Sequence, residues 1–197
     1  MQGSDAGGHT HNSASALTLV PQARSVLDAS GFDETLLVAA GGITDGRGVA
    51  AALVLGADAA ILGTRFAAAR ESTYTVRQKE ALVSVRCGAE GTTIGTFIDA
   101  IRGIDQHSSG LPGRCLVNKT TRLEAEWSAE GSARKELMRR HSEGVDSTGG
   151  EGLEWGATWA GTAVGLVHAV QPAGEIVAEV MEEAAAALQK GAARVSR

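Results

Sequence analysis

Aromatic side chains make up only 4% of the 197 residues, so a packed core must be built from Ala, Val, Leu and Ile. Cysteine is nearly absent. Cys87 and Cys115 form no CxxC pair, and no Cys or third His stands at metal-ligand spacing, which excludes zinc. Two isolated thiols suit a reduced protein of the cytoplasm. No apolar run approaches the ~18 residues that a spanning helix needs, so no membrane segment is expected. The first residues are polar and glycine-rich rather than basic and then apolar, unlike a signal peptide. A net charge of −5 offers nucleic acid no electrostatic footprint. GxSxG and GxxxxGK[ST] are both missing, which removes the common hydrolase elbow and the nucleotide P-loop. The length suits one domain or one and a half, and no internal repeat is visible.

Glycine is what the chain has in plenty, with 26 residues. Its placement follows an alternation of helix and strand. Residues 18–30 read as a helix, with Thr18 as a candidate cap, Pro21 in its first turn and Val20, Ala23, Val26 and Leu27 on one face. "TLLVAA" at 35–40 is a continuous apolar run that ends in Gly41-Gly42, the pattern of a strand buried on both faces of a parallel sheet. Asp45 then caps an Ala-rich helix ending near Gly56, and "AAIL" is expected to form a second short buried strand before Gly63-Thr64. A further helix is expected over 75–86, with Lys79 and Glu80 on its wet side. Short βα units of this kind predict a (β/α)8 barrel or a doubly wound sheet.

The later chain is less regular. Short pieces such as "TFIDAI" and "CLVN" predict a smaller substructure, and "SAEGSARKELMRRHSEG" predicts a short charged helix. Residues 142–156 read as a linker. "PAGEIVAEVMEEAAAAL" predicts an amphipathic helix with Val177, Val180, Met181, Ala184 and Leu188 on one face. The expected division is 1–86 for barrel units, 87–156 for a small second domain and linker, and 157–197 for a closing segment and last helix.

Parallel strands all open on one face at their carboxyl ends. Glycine loops there can bring backbone N–H groups close to a phosphate, and a helix N-terminus behind them adds a positive dipole end. Gly42 and Gly63-Thr64 match that arrangement, and Thr64 adds a hydroxyl donor. The same glycines also suit ordinary tight turns. His9, after Gly7-Gly8, can take a proton near neutral pH, or can be a surface residue; His11 could share its patch.

Three blocks in order, "QGSDAGGH", "VAAGGITDGRGVAAALVLGADAAILGTRF" and "WAGTAVGLV", resemble the nitronate monooxygenase (2-nitropropane dioxygenase) family. "TFIDAIRG" with "LPGRCLVN" resembles its small second domain. The resemblance implies an α/β fold, the C-terminal part of an FMN-binding TIM barrel plus a small α+β domain. It implies oxidation of nitronates or nitroalkanes by O2, with electrons passing through FMN. His9 matches the catalytic histidine. Gln2 and Gly7 match flavin-contacting positions, Gly42 a phosphate-binding glycine, and Ile61, Leu62, Gly63 and Thr64 the strand-end phosphate segment. Asp5 stands where Glu is common. By the family's layout the first five barrel strands and most of the sixth, with the flavin-ring and substrate contacts they carry, lie outside this chain. The alternatives are a flavin-dependent NAD(P)H reductase of the same superfamily, acting on a quinone or enoyl thioester, and a non-catalytic truncated fragment. Nothing indicates the oligomeric state.

Other signals have ordinary explanations. Asn118-Lys119-Thr120 is a chance glycosylation sequon. Arg134, Lys135, Arg139, Arg140 and His141 read as a solvated basic face or as a weak surface for an anionic partner. Trp155 and Trp159 read as core against the last helix, or as a cover over a pocket mouth. Gly161 and Gly165 are expected to let their segment run close to the barrel top.

Overall fold

The computed structural model describes residues 1–10, 14–104, 111–126, 132–147 and 154–196. The apolar runs form the parallel strands β2 (Val38–Ala40) and β3 (Ala59–Ile61), paired Val38 to Ala59 through Ala40 to Ile61; the two-residue strand β1 (Gly8–His9) precedes them. Residues 1–3 run along the other side of β2: Gln2 bridges Ala40 in parallel, and Gly3 N–H donates to Ala40 O at 2.9 Å. β2 is therefore an inner strand, with Ala39 wholly buried. Among the described residues β3 has no second neighbour, and Ile61 is exposed.

Helices α1 (Ala16–Ala29) and α2 (Gly46–Val54) pack together beside this sheet. α1 starts earlier than expected, with Ser15 as its cap, so Pro21 sits inside the helix. Proline lacks the N–H that would have bonded the Leu17 carbonyl. Leu17 is exposed, so water can serve that carbonyl, and the helix continues. α2 starts where expected: Asp45 Oδ1 accepts the Gly48 N–H at 2.9 Å. Asp45→Ala removes this cap and is expected to cost about 1 kcal/mol, read from the shift of a urea unfolding midpoint.

A short helix α3 (Gly63–Ala67) leaves β3, and α4 (Val76–Ser84) follows with a full capping box between Thr75 and Gln78. Lys79 corrects an expectation. It is only 8% exposed, because its Nζ donates to the carbonyls of Arg70 and Ser72 at 2.8 Å each and ties the preceding loop to α4. A buried ammonium needs such acceptors, and this loop supplies them.

The middle segment supplies α5 (Gly88–Gly91), β4 (Thr92–Gly95), α6 (Phe97–Ile101), β5 (Gly113–Leu116) and α7 (Lys119–Arg122), with a 3-10 turn at Leu123–Glu126. β5 pairs antiparallel with β4 on one side and with β1 on the other. Asn118 caps α7 and donates its Nδ2 to Gly156 O at 2.7 Å, a structural use for the sequon asparagine. α8 (Ser132–Ser147) occupies the start of the expected linker; the stretch 148–153 lies outside the described residues. Three of its five basic residues have internal partners: Arg139 pairs with Glu136 and Glu143, Arg140 with Glu126, and His141 is buried against Trp155 O.

After a 3-10 turn at Thr162–Leu166, the chain ends in the long helix α9 (Ala173–Val195). Its packed stripe is Ile176, Val180 and Ala184, at i, i+4 spacing, against α2. Val177, Met181 and Leu188, expected on the buried face, are 52%, 63% and 38% exposed. Among the described residues only one stripe of α9 is packed, and these three sit on the stripe beside it. Arg65 pins α9 from α3, reaching Gln171 Oε1 at 2.6 Å and Glu179 Oε2 at 2.9 Å. Cys87 is exposed and Cys115 buried; both are free, and burial pushes the Cys115 thiol up to about 12.

Candidate functional site

A cavity of about 430 Å³ opens at the carboxyl ends of β2 and β3. Gln2, Gly7, Gly42, Ile61, Gly63 and Thr64 all line it, so six of the seven expected cofactor contacts come together. Leu62 does not; it is buried in the core beneath. Strand alternation explains the split, because Ile61 and Leu62 point to opposite faces.

Each glycine has a local reason. Gly42 has φ +74°, which favours glycine, and it turns the chain at the end of β2. A Cβ on Gly63 would meet nothing within 4 Å, so this position faces the open cavity. The N–H groups of Gly63 and Thr64 open α3, where helix geometry gives them no internal acceptor. Thr64 Oγ1 accepts the Gly161 N–H at 2.9 Å, which leaves its own hydroxyl proton available. The helix end expected behind the cradle is not free. Asp45 holds the Gly48 N–H and Glu183 Oε2 takes the Gly46 N–H at 2.9 Å, so two carboxylates already occupy the α2 terminus. An anion in this cavity would rely on the loop N–H groups instead.

Tyr74 and Trp159 close the far wall of the cavity. Tyr74 Oη donates to the Trp159 carbonyl at 3.2 Å, and burial pushes its phenol above the ordinary range, so it stays a neutral donor. Of the two tryptophans, Trp159 is thus a pocket wall, while Trp155 packs against the cluster of Phe97, Ile101, Leu123 and Leu137 rather than against the last helix. Gly161 lets this segment lie on the 5–7 loop: a Cβ there would meet Asp5 O at 2.4 Å. Gly7 is the other half of the same contact, since its Cβ would meet Ala160 C at 2.6 Å. Gly165 likewise abuts Arg86 O.

His9 does not line the cavity itself but neighbours Trp159, which does. Its ring lies 5.1 Å from the Trp159 ring, centroid to centroid, tilted by 49°. Gly8, at φ +74°, turns the chain into β1, where His9 pairs with Gly113. A Cβ on Gly113 would meet the Trp159 ring at 2.6 Å and His9 Cδ2 at 3.4 Å, so glycine is needed opposite the histidine. Gln2 Nε2 donates to the His9 carbonyl at 3.2 Å and joins the cavity floor to the histidine strand. His11 lies outside the described residues.

Sequence reasoning missed the partner of His9. Its Nε2 lies 2.5 Å from Asp99 Oδ2, and Asp99 is only 2% exposed. A lone acid inside the apolar piece "TFIDAI" was the available signal. Among the described residues no group of three His, Cys, Asp or Glu could hold a metal ion, and no helix is long and apolar enough to cross a membrane.

Parallel strands that end in a glycine-lined cavity, with a histidine–carboxylate pair beside it, describe an α/β barrel-type protein with a pocket at its strand ends. The chain belongs to the nitronate monooxygenase family, whose sequence profile matches residues 1–183. A nitronate monooxygenase from Neurospora crassa is 36% identical over 191 residues, 96% of this chain and 49% of that protein. FabK from Thermotoga maritima superimposes with a TM-score of 0.73 at 27% identity, over 98% of this chain and 56% of that one. The nitroalkane oxidase of Streptomyces ansochromogenes gives 0.71 at 29% identity, over 96% and 52%. The chain thus spans about half the length of the relatives it matches.

Proposed function

We propose that this chain carries the FMN phosphate cradle and the catalytic base of a nitronate monooxygenase, an oxidoreductase that acts on alkyl nitronates or nitroalkanes with O2. The observation that carries this reading is the convergence of Gly42, Gly63 and Thr64 on one cavity with His9 one ring away. The residues fit the cofactor: Gly63 leaves open space where any side chain would intrude, and the cavity has the size of a small-molecule site. The backbone N–H groups of Gly42, Gly63 and Thr64 would hold the phosphate, with the Thr64 hydroxyl as a further donor. FMN, when bound, supplies the acceptor for the substrate's electrons and passes them to oxygen. His9 takes the proton from the carbon next to the nitro group, and Trp159 keeps its ring in place. The two free thiols support a cytoplasmic setting.

Titration with FMN, followed by oxygen uptake with ethylnitronate, tests the reading. A protein that gains no flavin absorbance sinks it. Gly63→Ala sharpens the test. Its new methyl meets no protein atom, so thermal stability is expected to hold while FMN affinity falls at least ~10-fold, about 1.4 kcal/mol. An unchanged FMN titration would remove Gly63 from the cradle. The "GGH" and "AAGG" motifs also suit a second reading, an NAD(P)H-dependent flavin reductase acting on a quinone or enoyl thioester. NADH oxidation with such an acceptor, and no oxygen uptake with a nitronate, would select it.

A further inference from the structure

We propose that Asp99 is the positioning residue that keeps the proton of neutral His9 on Nε2, so that Nδ1 is the atom that removes the substrate's α-proton. The proposal rests on the reading of His9 as the base. Three observations lead to it. The Asp99 side chain is 3% exposed and that of His9 32%, so a substrate can reach the imidazole but not the acid behind it. Asp99 Oδ2 lies 2.5 Å from Nε2, while Arg102 Nη1 stands 3.8 Å from Oδ1 and supplies a counter-charge for the carboxylate. An ionised carboxylate only accepts hydrogen bonds, so Nε2 carries the hydrogen and Nδ1 keeps its lone pair. Trp159 packs against the same ring and restricts its plane.

The step balances simply. The α C–H bond of a neutral nitroalkane breaks, its proton goes to Nδ1, and its electron pair stays on the substrate as the nitronate. The imidazolium that forms carries its second proton on Nε2, against Asp99. An alkyl nitronate has already lost that proton, so it bypasses the step. Asp99 therefore matters for the nitroalkane and not for the nitronate, a split that a merely structural residue would not produce.

The first test needs no variant. Long-range 1H–15N correlation spectra of the full chain are expected to show His9 protonated at Nε2, with Nδ1 bare. Protonation at Nδ1 overturns the proposal. The second test is kinetic, with FMN present. Asp99→Asn is expected to lower kcat/KM for nitroethane about 100-fold, the lower end of general-base contributions, with ethylnitronate changed less than about 3-fold. Asp99→Glu, which restores the acceptor, should recover part of the nitroethane rate. Equal losses on both substrates, or none on nitroethane, overturn it. If wild-type protein oxidises neither compound, the proposed activity fails, and the tautomer of His9 still decides the role of Asp99.

Discussion

Replacing His9 with Asn is expected to reduce oxygen consumption with nitroethane on the order of 10³-fold, within the range that a positioned base contributes. Asparagine has no basic nitrogen, and its amide ends at the position of Nδ1, short of the contact that Nε2 makes with Asp99. The β1 pairing of residue 9 with Gly113 uses backbone atoms, so the strand survives the change. Ethylnitronate needs no deprotonation and should be oxidised at close to the wild-type rate. Initial rates for the two substrates, measured side by side in an oxygen electrode, check this. Full nitroethane turnover by the variant would remove His9 from the proton step and leave family membership untouched.

The largest expected loss of stability is at Ile176. Its side chain is fully buried between α9 and α2, in the cluster that holds Val20, Val49 and Ala50. Ile176→Ala deletes buried methylenes and leaves a cavity, with an expected cost of about 3 kcal/mol. For a chain of this size the melting temperature should drop by roughly 10 °C. Val177→Ala is the internal control. That side chain is half exposed, so its truncation should stay within about 0.5 kcal/mol. Calorimetric scans of the two variants would separate the packed stripe of α9 from the exposed one beside it. Equal shifts would mean that the stripe through Val177 is covered in solution.

The parts of the fold legible in the sequence are those governed by local rules. The last three residues of "TLLVAA" and the first three of "AAIL" are parallel strands, as apolar runs closed by glycine predict, and Asp45 caps α2 because its carboxylate reaches the third N–H of the helix. What stayed hidden depends on what a side chain meets across the chain. Lys79 reads as solvated until its two carbonyl acceptors are seen. Met181 and Leu188 read as core because periodicity reports a helical face and not whether anything covers it. In the site, the glycine turns at the strand ends were legible because turn chemistry is local. Asp99 was not, since nothing near residue 99 points to residue 9. The occupation of the α2 terminus by Glu183 was hidden for the same reason.

The strand β1 has a consequence for how the protein is made. It consists of two residues, and its partner β5 begins at Gly113, while the ring that flanks His9 belongs to Trp159. The bond from His9 to Asp99 alone spans 90 positions. During synthesis, α1, β2, α2 and β3 can settle through contacts between near neighbours, but the histidine waits. Its surroundings come into being only when residues near 159 have emerged from the ribosome and closed over residues near 7. High contact order of this kind slows folding, because loop closure must come before its reward. Completion of the surroundings of His9 therefore depends on the arrival of the distant strand and the tryptophan segment, and cannot precede them.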